Sequence, residues 1–194
     1  FTGNAGQASV DRICAAVASE LGLSPQRVFT SSTGVIGEPL PVEKIVAVLP
    51  AALESLTSSN WRNTGVGIMT TDTLPKGAYR QITLGGKTVT IGGISKGAGM
   101  IRPNMATMLG YVFTDAAVDQ SVLQDLLKST TNKSFNRITI DSDTSTNDSC
   151  IAVATGQSGA PLISDINSEA GAAFAEAFLA VMQELAHAIV RDGE

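Results

Sequence analysis

The chain has 194 residues, 43% hydrophobic and 16% charged, enough to bury a sizeable core and too apolar for a disordered or fibrous polypeptide. Eighteen acids against thirteen Lys and Arg give a net charge of −5, which leaves no basic stripe for nucleic acid. No apolar run reads as a membrane span, and Cys14 and Cys150 lack the short spacing of a metal or redox pair, so both are expected to be buried free thiols.

In chain order, Ser9 is placed to cap a helix through about Leu21, with Ile13, Val17 and Leu21 on one face and Gly22 at its stop. "RVFTSS" reads as a short buried strand. Pro41 can open a helix over "VEKIVAVLPAALESL", which Pro50 should kink or split. "GVGIMTTD" reads as a strand with a polar end, and "AYRQITLGGKTVTIGGIS" as a hairpin turning at Gly85–Gly86. "TMLGYVFTDA" is a further strand, Asp119 caps a helix over "QSVLQDLLKSTTNKS", and "CIAVATG" is a strand. Asn167 or Ser168 begins a last helix to about Val190, rich in Ala and Phe along one face. Strands slightly outnumber helices in this reading, and the mixture predicts a layered α/β fold. Since the chain begins at Phe1 with no initiator Met and stops at "RDGE" after a helical pattern, an excised piece is expected.

The stretch "KGAGMIRPNMATML" leads from a Gly/Pro-rich turn into a strand at Ala106–Thr107. A threonine so placed can attack the carbonyl before it. An N-to-O acyl shift followed by hydrolysis would cut the chain between Ala106 and Thr107 and expose an N-terminal threonine. The α-amino group of such a residue, with an ordinary pKa near 8, can be the base for its own hydroxyl. No histidine is then needed, and His187, the one in the chain, belongs to no visible triad. Periodicity alone leaves Thr107 readable as an ordinary β-branched strand residue.

That stretch resembles the autoprocessing segment of the ornithine acetyltransferase family, the bifunctional glutamate N-acetyltransferases of arginine biosynthesis. "SSTGVIGEPLP" at 31–41, "IMTTDTLPK" at 68–76 and "DSDTSTNDS" at 141–149 resemble the same family in the same order, and the similarity runs over the whole chain. The resemblance implies an αββα-like architecture in one acetyltransferase domain, with residues 1–106 ending an alpha chain and 107–194 starting a beta chain. It implies ping-pong transfer of an acetyl group from N-acetylornithine to glutamate through an ester on Thr107; some members also accept acetyl-CoA. Thr33 and Gly34 match the oxyanion hole, where one preorganised donor is worth about 3 kcal/mol. Thr70, Lys96, Thr107 and Glu194 match substrate-binding positions, Lys96 suiting an α-carboxylate and Glu194 the δ-ammonium of ornithine. No metal or cofactor is expected. The expected partners are small-molecule substrates and the cut halves themselves, associated as a heterotetramer, in the cytoplasm or, in a eukaryote, the mitochondrial matrix.

Without the resemblance, Thr33–Gly34 reads as a turn, Lys96 as a solvated turn lysine and Thr70 as a strand-end residue. Asp141, Asp143, Asn147 and Asp148 alternate with hydroxyls as calcium ligands do, but the EF-hand glycine and distal glutamate are missing, so a structural loop whose Asx and Ser side chains bond its own backbone is the better reading. His187 reads as a packed or surface residue. Two alternatives stay open: an amidase or aminopeptidase with the same N-terminal nucleophile, and a non-catalytic binding protein in which Thr107 is never released.

Overall fold

The computed structural model describes residues 2–101 and 108–193, which divide into two compact units, Phe1–Asn60 and Trp61–Glu194. In the first unit helix α1 spans Gly3–Leu21 and buries Ile13, Cys14 and Ala18. It ends on Gly22 in the left-handed conformation, as expected. Its start lies six residues before Ser9, whose hydroxyl donates back to the Ala5 carbonyl at 2.9 Å inside the helix rather than capping it. A 3-10 turn at Pro25–Arg27 follows. The strand expected at "RVFTSS" does not form: Val28–Thr30 are irregular, and Phe29 is 78% exposed. With no strand of this unit among the described residues to pair with, an apolar run has nothing to take its backbone donors. Helix α2, Val42–Glu54, runs through Pro50 as one element, so Pro50 forgoes an N–H bond without ending the helix.

The second unit opens with helix α3, Trp61–Gly67. The residues read as a strand at "GVGIMTTD" instead close this helix and form a turn. A four-stranded sheet follows in the order β1 (Lys76–Leu84), β2 (Lys87–Lys96), β3 (Leu109–Thr114) and β4 (Ser149–Ala154). β1 and β2 are the expected hairpin, paired from Leu84↔Lys87 to Lys76↔Ser95. Its turn needs positive φ at both Gly85 (55°) and Gly86 (75°), which glycine adopts without a Cβ penalty. β3 runs antiparallel to β2, while β4 runs parallel to β3 after the crossover through helix α4, Gln120–Thr131. Asp119 stands at the start of α4 without a side-chain capping bond, and the helix stops three residues before the expected Ser134.

Helix α5, Glu169–Arg191, is the core helix. Ser168 caps it by accepting from the Gly171 N–H at 3.0 Å. Phe174, Phe178, Val181, Leu185 and Ile189, all fully buried, meet Val89, Ile91 and Val112 of the sheet. Each such side chain contributes about 1.5–3 kcal/mol of burial. By length and composition α5 could also cross a membrane, with a mean hydropathy of 1.4 over its most apolar window, contrary to expectation, but its apolar stripe is spent on this core. The layered α/β expectation holds, with one mixed sheet under a helix layer, although helices outnumber strands five to four among the described residues. Cys14 and Cys150 are both free, Cys14 buried and Cys150 half-buried.

Candidate active site

Lys96 is the last residue of β2, paired with Leu109, and only 1% exposed. A buried ammonium needs a partner. Its Nζ donates to Thr70 Oγ1 at 3.4 Å, and among the described residues no carboxylate lies within ion-pair distance of it. Burial pushes its pKa below the ordinary 10.5; the fields of Asp72 and Asp148 oppose this, and Lys76 adds to it. Lys96 and Thr70, two of the predicted substrate residues, are thus brought together. The pair presents a cation with unused donors.

The turn carrying Thr70 is fixed by charge. Asp72 accepts from the Gly97 N–H at 2.7 Å, the Thr70 N–H at 3.2 Å and Lys76 Nζ at 2.5 Å. Burial raises the Asp72 carboxyl, but these donors together outweigh it and hold the pKa below 3.8. Lys76 also pairs with Asp192 after the end of α5, and Asp192 in turn accepts from the Thr73 N–H at 3.0 Å and from its hydroxyl. The Asp72–Lys76–Asp192 cluster, almost wholly buried, ties the 68–75 turn to both β2 and α5. The i, i+4 spacing of Asp72 and Lys76 is the one local signal of this cluster; nothing in the sequence points to Asp192.

The run at 141–149 bonds backbone, but its carboxylates hold backbone elsewhere in the chain rather than, as expected, the run's own. Asp141 accepts from the Met100 N–H at 3.0 Å and Asp148 from the Met108 N–H at 2.8 Å. Asn147 N–H donates to Ser145 Oγ within the run. Burial raises the Asp148 carboxyl to about 6, against the Met108 bond and the Lys96 charge. Burial likewise pushes the neighbouring Cys150 thiol up to about 11, an unreactive state at neutral pH.

Thr33 and Gly34 lie in the irregular segment between the 3-10 turn and α2 of the first unit, Thr33 half-buried and Gly34 exposed. A Cβ built on Gly34 would meet nothing within 4 Å. Ala106, Thr107 and Glu194 lie outside the described residues. His187 is exposed on α5, as a surface histidine should be. A cleft of about 730 Å³ lies between Trp61 and the face of the sheet bearing Gly92, Ile94 and Phe113. It is mostly apolar, and neither Lys96 nor Thr70 lines it.

A family profile for the ArgJ family matches residues 1–194. The "Arginine biosynthesis bifunctional protein ArgJ" of Pseudomonas syringae pv. tomato is 58% identical over 193 residues, covering 100% of this chain and 48% of the relative. Its counterpart in Pseudomonas fluorescens is 55% identical over the same extent. The chain therefore spans about half the length of the curated relatives it matches. A crystal structure of arginine biosynthesis bifunctional protein ArgJ from Bacillus halodurans is 42% identical, with a TM-score of 0.43 over 45% of this chain and 41% of that one. With the family profile matching residues 1–194 and relatives at 55–58% identity across the chain, this chain belongs to the ArgJ family.

Proposed function

We propose that the whole protein is an acetyltransferase that moves the acetyl group of N-acetylornithine to glutamate through an ester on Thr107, after cutting itself between Ala106 and Thr107. The observation that carries this reading is Lys96, a buried cation held against Thr70 with no carboxylate partner among the described residues. Such a site costs free energy when empty and recovers it when an α-carboxylate enters, and both amino-acid substrates bring one.

In the proposed cycle the Thr107 hydroxyl attacks the acetyl carbonyl while its α-amino group takes the hydroxyl proton. The tetrahedral oxyanion draws on the Thr33 hydroxyl and the Gly34 N–H. Ornithine leaves, and the glutamate amine then attacks the acetyl ester and regenerates the hydroxyl. Glu194 is assigned to the δ-ammonium of ornithine. Association of the cut halves into a heterotetramer, use of acetyl-CoA and a cytoplasmic site belong to the same reading.

Incubation of the full-length protein with N-acetylornithine and glutamate tests it. Acetylglutamate should form, together with two fragments dividing before Thr107 by intact mass, and Thr107→Ala should abolish both. Free acetate as the main product would instead favour an amidase. A single uncut, folded chain would favour a binding protein.

A further inference from the structure

The proposed reaction gives Thr70 and Lys96 a task but leaves Asp72, in the same "IMTTDTLPK" stretch as Thr70, without one. The Asp72 side chain is fully buried. Its Oδ1 accepts from the Gly97 N–H at 2.7 Å and from Lys76 Nζ at 2.5 Å, and its Oδ2 accepts from the Thr70 N–H at 3.2 Å. Gly97 directly follows Lys96 at the end of β2, and the Thr70 hydroxyl receives Lys96 Nζ at 3.4 Å. One carboxylate therefore holds the backbone beside both members of the lysine–threonine pair.

A buried carboxylate so near a buried ammonium would ordinarily close an ion pair with it, and a closed pair would leave little charge for an incoming anion. Here Lys76 occupies that carboxylate instead and is shared in turn with Asp192, so that Lys96 stays outside ion-pair distance of any carboxylate among the described residues. It does not escape their fields. Burial lowers the Lys96 pKa, the negative charge of Asp72 is the largest influence opposing it, Asp148 opposes it less, and Lys76 acts with burial. These charges face Lys96 from the 68–75 turn, from the residue before β4 and from the start of β1.

We propose that Asp72 is the positioning residue of the carboxylate anchor: it fixes the backbone of Thr70 and of Lys96 in one arrangement, while Lys76 keeps it from neutralising the Lys96 ammonium. The inference rests on the reading of Lys96 as the group that receives the substrate α-carboxylate. Asp72 itself touches no substrate in this arrangement. It acts through Lys96, by geometry through two backbone bonds and by charge across the gap that Lys76 maintains.

Two consequences separate this role from that of a merely structural buried acid. Both N-acetylornithine and glutamate bring an α-carboxylate to the same cation, so losing Asp72 weakens the capture of both alike and spares the chemical step. The second consequence is electrostatic. Although burial works to raise the Asp72 carboxyl, its bonds from Gly97, Lys76 and Thr70 hold it below 3.8, so its negative charge is present throughout the pH range in which Lys96 titrates. Removing that charge must lower the pH at which Lys96 loses its proton.

The test uses the full-length protein carrying Asp72→Asn, which keeps one acceptor oxygen and loses the charge. We expect kcat/KM for N-acetylornithine and for glutamate to fall by a common factor of about ten or more, with kcat within about threefold of wild type. The basic limb of kcat/KM for glutamate should move to lower pH by about one unit, read as the difference from wild type because the glutamate amine contributes equally to both profiles. Asp72→Glu restores the charge on a longer side chain and should return the limb to its wild-type position while kcat/KM stays reduced. Asp192→Asn removes the carboxylate of the cluster that does not act on Lys96, and should leave the limb in place. An Asp72→Asn enzyme with both kcat/KM values within about threefold of wild type, or a weakened one whose basic limb has not moved, overturns the proposal. So does an Asp192→Asn enzyme whose limb moves as far. Should Asp72→Asn not fold, Asp72→Glu decides: both kcat/KM values lowered with the limb in place support the proposal, and unchanged values or a displaced limb overturn it. Failure of the underlying reading looks different, because wild-type protein would then form no acetylglutamate or Lys96→Met would keep the wild-type kcat/KM.

Discussion

At the scale of single residues, Lys96 is the clearest case of a side chain whose environment departs from its sequence context. Between a strand and a glycine it reads as a solvated turn lysine, yet it is one of the most completely buried large side chains among the described residues. Its pairing with Leu109 in the β2–β3 ladder is one that no local pattern announces. Replacing Lys96 with Met removes the proposed carboxylate anchor. We expect kcat/KM for glutamate to drop by about 10²–10³, the kinetic equivalent of losing about 3–4 kcal/mol from a buried charge contact. In the wild type, glutamate affinity should weaken as pH rises through the lowered lysine pKa, because only the ammonium form binds a carboxylate. A Met variant with unchanged kcat/KM, or an affinity flat to pH 10 and beyond, would remove Lys96 from the site.

At the scale of elements, the hairpin and α5 were plain in the sequence because each carries its own signal. Alternation around two glycines fixes β1 and β2, and a Ser cap with an apolar stripe fixes α5. The two strands that failed, at "RVFTSS" and "GVGIMTTD", show the limit of short apolar runs, whose conformation depends on whether a partner strand is adjacent. α5 packs close to the sheet at Gly93. A Cβ there would lie 2.8 Å from the Tyr111 carbonyl oxygen and 2.9 Å from Leu185 Cδ1. Since the carbonyl belongs to the ladder and cannot retreat, Gly93→Ala should destabilise the full-length protein by about 1–3 kcal/mol, measured as a fall in the denaturant midpoint at unchanged slope. An unshifted midpoint would mean that α5 seats less closely than the structure has it.

At the scale of the whole molecule, acid stability should report the cluster that joins the 68–75 turn to α5. Burial acts to raise the Asp192 carboxyl, but Lys76 and Thr73 overcome this and bring it to about 2. Its folded pKa lies below the ordinary 3.8, so its contribution is complete above about pH 4 and is lost as pH falls toward 2. Asp148 works in the opposite sense: raised to about 6, it lets stability decline as pH rises from about 4 to 6. The stability difference between wild type and Asp192→Asn should therefore shrink between pH 4 and pH 2, and a constant difference would exclude Asp192 as the group responsible. The sequence by itself determined the family, the hairpin, the last helix and the residue types at the candidate site, since motif order, turn glycines and helical periodicity are local properties. Tertiary structure alone decided that Lys96 is buried beside Thr70, that Asp72, Lys76 and Asp192 form one cluster, and that Asp141 and Asp148 grip both flanks of the 102–107 segment. The contacts of Lys96 with Thr70, Lys76 with Asp192, Asp141 with Met100 and Asp148 with Met108 join residues 26 to 116 positions apart, and only chain folding sets such distances and the low-dielectric surroundings that give the charges their effect.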